Sequence, residues 1–261
     1  MQRQGYITDL DDDQWGELSP WLNVRAPTGR PAKYPLRHVV DALSFMVSTG
    51  CQWRNIPNDF PPWRTVHYYF TKWKESGILT TIEQALLRAI RQREGREPEP
   101  TAGIIDAQAV DCPTSGEERG YDSNKNVKGR KRHLLTDVLG LVVCMTITTA
   151  ELHDRYGVRL LLASDSFPKT ITHIWADKGY RGPIVAEVAR QHNVTIEIVA
   201  NPSPHSFIIA KRRWVVERTN AWLSAARRLT VDREKTVASS MTMLNLRLCL
   251  LYSRWSTQGI A

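Results

Sequence analysis

No stretch of the sequence holds eighteen or more consecutive apolar residues, so no segment reads as a membrane-spanning helix. The opening residues, Met1 to Asp9, lack the apolar core of a secretory signal, and a cytoplasmic protein is the expectation. Cysteine is scarce. Cys51, Cys112, Cys144 and Cys249 show no Cys-x-x-Cys spacing, which excludes the common zinc frameworks and a disulfide scaffold and leaves buried, reduced thiols.

What is present is positive charge. The formal net charge is +8 over 261 residues, a balance that favours a polyanionic partner. The charge is unevenly placed. Residues 9–17 are acidic, whereas the stretch from Arg119 to His133 gathers Arg119, Lys125, Lys128, Arg130, Lys131 and Arg132 around the single Asp122. A second basic stretch runs from Lys211 to Lys235. Two such segments far apart in sequence are placed to line one groove.

The first 95 residues read as short helices. Apolar periodicity predicts helices over Thr8 to Leu22, Leu36 to Ser48 with Gly50 as the stop, Trp63 to Glu75, and a fourth carrying Leu79, Ile82, Leu86 and Ile90. The third has Trp63, Val66, Phe70 and Trp73 as a stripe, with Arg64, Lys72 and Lys74 off it. Short helices, tight loops and a basic, aromatic helix suit a helix-turn-helix-like module as well as a plain bundle with core tryptophans. Residues 91–103, rich in charge, proline and glycine, read as the linker.

From residue 103 to 261 the pattern alternates. Gly103 to Val110 reads as a buried strand, Gly129 to Ala150 as a hairpin turning at Leu139 and Gly140, and Asp154 to Ala163 as a helix. A strand ending at Asp177, a helix from Pro183, a strand over Val194 to Val199 and a helix through Glu217 complete the order. That order is the one of a ribonuclease-H-like α/β domain, with a mixed five-stranded sheet and helices. The apolar helix Met241 to Tyr252 suits a core role or a dimer contact.

Three acids stand out. Asp106 and Asp177 each end or interrupt an apolar run, where an uncompensated carboxylate is costly. Glu217 sits among Arg213 and Arg218 on an amphipathic helix, with Arg213 one turn before it. Alone, that pair is an ordinary intrahelical ion pair. Three carboxylates on a basic chain can instead be held together by a divalent cation. His133 and His153 read as structural, and Asp111, Asp122, Asp137 and Asp154 are set aside as ligands, Asp154 as a candidate helix N-cap.

The runs Ile105-Asp106-Ala107-Gln108, Lys128 through Leu134, Trp175 through Tyr180, and Arg213 through Thr219 resemble the DDE transposases of bacterial insertion sequences. The likeness is nearest to the group named after insertion sequences four and five. Residues 8–80 also resemble that group's amino-terminal helical domain. The resemblance implies Asp106, Asp177 and Glu217 as the catalytic triad, holding two Mg2+ or Mn2+ ions. It implies DNA cleavage at the terminal inverted repeats of an insertion sequence, followed by strand transfer to target DNA. Expected partners are double-stranded DNA and a second copy of the chain, with location on the nucleoid when DNA is bound.

Phosphate neutralisation is expected from Lys128, Arg130, Lys131, Arg132, Lys211, Arg212 and Arg213, joined by Arg218, Arg64 and Lys72. The family pattern Tyr-x2-Arg-x3-Glu-x6-Lys is met at Arg213 and Glu217. It is broken at Ala210 and Ser224, with Arg227 or Arg228 as the expected stand-in for the lysine. Only 40 residues separate Asp177 from Glu217, too few for a large insertion domain. Two other readings stay open: a catalytically silent DNA-binding protein of the same descent, and a metal-dependent nuclease without strand transfer.

Overall fold

Asp11 sets the start of the first helix. Its Oδ1 accepts the Gln14 amide at 2.7 Å, and its own amide donates to the Gln14 side chain at 3.2 Å. This reciprocal capping box makes α1 begin at Asp12 and run to Leu22, later than the Thr8 that periodicity predicts. The computed structural model describes residues 5–22, 32–113, 116–199 and 213–260.

Helices α2 (Leu36–Thr49), α3 (Trp63–Ser76) and α4 (Ile78–Arg93) follow at the expected places. The apolar side of α2, with Val39, Leu43, Met46 and Val47, is fully buried. Gly50 stops the helix in the left-handed region at φ 73°, its amide returning to the Met46 carbonyl at 2.9 Å, a conformation that costs any other residue more. On α3, Val66, Phe70 and Trp73 are core, whereas Trp63 is half exposed, with the guanidinium groups of Arg54 and Arg64 over its ring at 5.8 and 4.9 Å.

These helices form one compact unit, Met1–Arg96, together with Ala225–Thr230 and Ala238–Ala261. The closing helix α9 (Val237–Gln258), introduced by the single turn α8 (Arg227–Thr230), therefore packs with the amino-terminal helices. A linear division at residue 103 assigns it to the carboxy-terminal part, and the packing differs. Asn245 Nδ2 donates to Thr80 Oγ1 at 2.8 Å, Cys249 Sγ to the Leu79 carbonyl at 3.2 Å, and Arg93 to the Trp255 and Ser256 carbonyls.

The second unit is Glu97–Ser224 with Val231–Val237. It contains β1 (Ala102–Asp111), β2 (Gly120–Asp122), β3 (Val127–Thr136), β4 (Val142–Thr149), α5 (Asp154–Leu162), β5 (His173–Ala176), α6 (Pro183–Gln191), β6 (Thr195–Ile198) and α7 (Arg213–Ser224). In the sheet β3 lies antiparallel to β1, β2 and β4, while β5 is parallel to both β1 and β6. This is the mixed order expected of a ribonuclease-H-like domain. Among the described residues there are six strands rather than five, because the three-residue β2 is too short to show a period in sequence.

Helices cover both faces, and the register says which residues meet which. Gln108 Nε2 donates to Ser224 Oγ at 3.2 Å and Asp106 accepts from Asn220, so the even-numbered side chains of β1 face α7. His133, paired with Ala107, packs against Gly157, so the odd-numbered ones share their face with α5. No described helix is long and apolar enough to cross a membrane.

Candidate active site

The parallel ladder between β1 and β5 fixes the height of two acids. Ala102 pairs with His173 and Ile104 with Trp175, a constant offset of 71. The same offset carries Asp106 to Asp177, directly beyond the end of β5. Residues paired across parallel strands project from the same face; Ile104 and Trp175 both pack with α7, and Asp106 accepts from Asn220 of that helix. Asp106 is half-buried and its Oδ2 accepts from Asn220 Nδ2 at 2.9 Å. Asp177 caps the short 3-10 turn Lys178–Tyr180, its Oδ1 accepting the Gly179 amide at 2.8 Å.

Glu217 comes from α7. That helix lies along β1 because Val215 and Val216 bury against Ile104 and Trp175. Glu217 is exposed and stands one turn before Asn220, on the side that meets Asp106. β1, the turn just past β5 and α7 thus carry one of the three acids each.

Tyr180 reports on the same place. It is buried, and its hydroxyl has no hydrogen-bond partner among the described residues. Burial, and after it the charges of Asp106, Asp154 and Asp177, push its phenol well above the usual value. Asp154, set aside from sequence, is therefore part of the neighbourhood. It does not cap α5. His153 does, its Nδ1 accepting the Arg155 amide at 3.4 Å, and Asp154 opens the first turn. Its Oδ1 pairs with Lys131 Nζ at 2.9 Å, while Oδ2 lies 3.8 Å from Lys125 Nζ. Nothing in the sequence marked it beyond its place at a helix start.

The donor chemistry at this edge is all carboxylate, with the cysteines elsewhere, and hard oxygen donors fit Mg2+ or Mn2+. Among the described residues no three acidic, histidine or cysteine side chains are gathered into a group that could hold a metal ion. Asp106 lies in the middle of β1, Asp177 just past the end of β5 and Glu217 on α7.

The basic residues divide. Lys128 is exposed, as expected of a phosphate contact. Arg130, Lys131 and Arg132 are not: all three are buried, and phosphate contact by them is corrected here to a structural role. Arg130 pairs with Asp232 at 3.1 Å and donates to the carbonyls of Glu234, Glu117 and Lys235. Lys131 joins Asp122 and Asp154, both at 2.9 Å. Arg132 is desolvated enough to lower its pKa to about 10, with Asp232 opposing. A charge run in a strand covered on both faces has no solvated side.

Arg218 is held in the fold too. Its guanidinium lies between the rings of Trp214 and Trp222, at 4.6 and 4.4 Å, and donates to the Leu139 carbonyl at 2.8 Å. Arg64 and Lys72 are exposed on α3. Lys211, Arg212 and Ala210 lie outside the described residues, as does the side chain of Arg213. Ser224, where the family pattern has lysine, accepts from Gln108. Of the stand-ins, Arg228 is buried and donates to the Cys51 carbonyl within the helical unit, so it supplies no free cation; Arg227 is exposed in the same unit. His133 is structural as expected, buried with Nε2 at 3.0 Å from Thr148 Oγ1.

Comparison with known proteins points to one family. The family description "Transposase DDE domain" matches residues 97–252, and "Putative transposase of IS4/5 family" matches residues 10–83. The chain is similar to a Burkholderia cepacia protein named "Putative transposase for insertion sequence element IS402". The two are 28% identical over 164 residues, which is 59% of this chain and 74% of that protein. It is also similar to the uncharacterized protein y4sN of Sinorhizobium fredii, at 29% identity over 79 residues, 30% of this chain and 63% of the other.

Proposed function

The chain belongs to the DDE-domain transposases of the IS4/5 family, and from that membership we propose that it binds the terminal inverted repeats of its insertion sequence, cuts the DNA ends and joins them to target DNA. The observation that supports this reading is the β1–β5 register, paired through Ile104 and Trp175, which runs on toward Asp106 within β1 and Asp177 just past β5, with α7, the helix of Glu217, packed on Ile104 and Trp175.

Asp106, Asp177 and Glu217 supply the oxygen ligands for two divalent cations. Those cations, when bound, activate the attacking oxygen and neutralise charge on the phosphorus centre. The chain's own part is orientation. Asn220 holds one oxygen of Asp106, and the Gly179 amide holds one oxygen of Asp177, which orients both carboxylates. Buried apolar neighbours, Ile104 and Trp175 on the strands and Val215 and Val216 on α7, hold the three backbones rigid. Exposed Lys128 on the catalytic unit, and Arg64 and Lys72 on the helical one, serve the DNA backbone. Cutting and joining two ends in one complex calls for a dimer.

The test is cleavage of labelled duplex carrying the element's ends, with Mg2+ or with EDTA, by the wild type and by Asp177→Ala. Metal-dependent nicking at the ends that disappears in the variant supports the assignment. Binding without nicking by the wild type favours a silent DNA-binding protein, and cutting without end preference or joining favours a nuclease.

A further inference from the structure

Two carbonyls show how β1 is oriented at its edge. Thr101 O accepts from Thr172 N at 2.9 Å on the β5 side, and Asp111 O accepts from Asp232 N at 2.8 Å, away from β3. Successive peptide groups alternate along a strand, so the odd-numbered carbonyls of β1 point toward β5. Ala107 is one of them. Because the ladder to β5 ends at Ile104 and Trp175, that carbonyl has no strand partner on its side. Lys125 takes it: Nζ donates to Ala107 O at 2.8 Å.

That bond places an ammonium beside the residue following Asp106, at the edge where β5 has just given way to Asp177. We infer that Lys125 is a substrate-contact residue of this site, its ammonium binding a phosphate oxygen of the DNA strand next to the reacting bond. The inference rests on the phosphoryl-transfer reading and adds a residue to it.

Three observations favour contact over a purely structural role. First, Lys125 has its side chain 39% exposed, whereas its neighbour Lys131 is 4% exposed and locked by Asp122 and Asp154 at 2.9 Å. Second, Lys125 forms only a loose ion pair with Asp154, at 3.8 Å and beyond hydrogen-bond reach, whereas Lys131 holds the same acid at 2.9 Å. Among the described residues its ammonium makes one hydrogen bond of the three it can donate. Third, residues 213–230, which make up α7 and the turn after it, contain no lysine that could serve this edge instead. A lysine is a point charge suited to a single phosphate oxygen.

The test uses the full chain and three forms of residue 125: wild type, Lys125→Gln and Lys125→Arg. Glutamine keeps a donor for the Ala107 carbonyl and loses the charge. Affinity for duplex spanning the DNA that flanks the coding region is measured across salt concentrations in an Asp177→Ala background, and cleavage is measured in the otherwise native chain. Expected for Lys125→Gln is a salt slope shallower by roughly one and cleavage slower by about a hundred-fold, with an unchanged melting temperature; arginine restores the slope. A Gln variant with native slope and native cleavage overturns the inference, as does one whose loss of cleavage comes only with a lowered melting temperature. If the wild type neither binds nor cuts the flanking duplex, the phosphoryl-transfer reading itself fails, a result distinct from either.

Discussion

Asn220 Nδ2 and Asp106 Oδ2 are 2.9 Å apart, a hydrogen bond that ties α7 to the acid in the middle of β1. A carboxylate with one oxygen pinned presents the other in a fixed direction, and partners of this kind are commonly worth about 10- to 100-fold in metal affinity or activity. Asn220→Ala is expected to slow cleavage by roughly that factor and raise the Mg2+ concentration for half-maximal rate, with little change in melting temperature. A titration of rate against Mg2+ checks it; an unchanged midpoint and rate contradict the role.

Arg130 and Asp232 predict a different phenotype. Both side chains are buried and paired at 3.1 Å. Removing one partner leaves the other as a buried, uncompensated charge, at a cost of about 3–5 kcal/mol. Arg130→Met should therefore lose much of its unfolding midpoint in urea, while Lys128→Ala, at an exposed position, loses DNA affinity and keeps its midpoint. The reverse pattern would return Arg130 to the DNA-contact set.

Acid sensitivity follows from His133. Burial, opposed by Asp154 and aided by Lys131 and Lys125, lowers its pKa from 6.5 to about 4. The unfolded chain takes up the proton near 6.5 and the folded one only near 4, so the unfolded state binds more protons in between. Stability from this group is complete above pH 6.5 and drains as pH falls toward 4, by roughly 3 kcal/mol in all. The difference in unfolding free energy between wild type and His133→Gln, measured from pH 7 to 4, should shrink by about that amount. A flat difference rejects the assignment.

Gly157 sets a steric limit beside the same histidine. A Cβ there would lie 2.1 Å from His133 Nδ1, with the whole ring close behind. Gly157→Ala should cost about 1–3 kcal/mol by overpacking, despite alanine's better helix propensity. The double variant Gly157→Ala with His133→Gln is expected to recover part of that loss in urea titrations.

Much of this was legible before any coordinates. Periodicity gave helices α2 and α3 to within a residue and the existence of α4, and the lone acids in apolar runs drew attention to Asp106 and Asp177, because a carboxylate among apolar neighbours is expensive enough to leave a trace. Burial of Arg130, Lys131 and Arg132 left none. Alternation in a strand separates two faces, and here a charged residue on each face finds its partner far along the chain, in Asp232 or Asp154. Lys125 was hidden for a related reason: what matters is a carbonyl left over where β5 stops, a property of register rather than of residue type. The three-residue β2 and the late return of α9 likewise depend on contacts with no local signature.

That return has a consequence for synthesis. The peptide passes between the two units at residues 96, 224, 230 and 237, so the first unit to emerge from the ribosome is the last to be completed. Until α9 exists, Leu79 and Thr80 lack the side chains that bond them, and the apolar surfaces of α2 and α4 lack part of their cover. Residues 1–95 made alone would be an unfinished body. The sheet, whose described strands all precede residue 199, can be assembled while helices α1 to α4 are still waiting for α9.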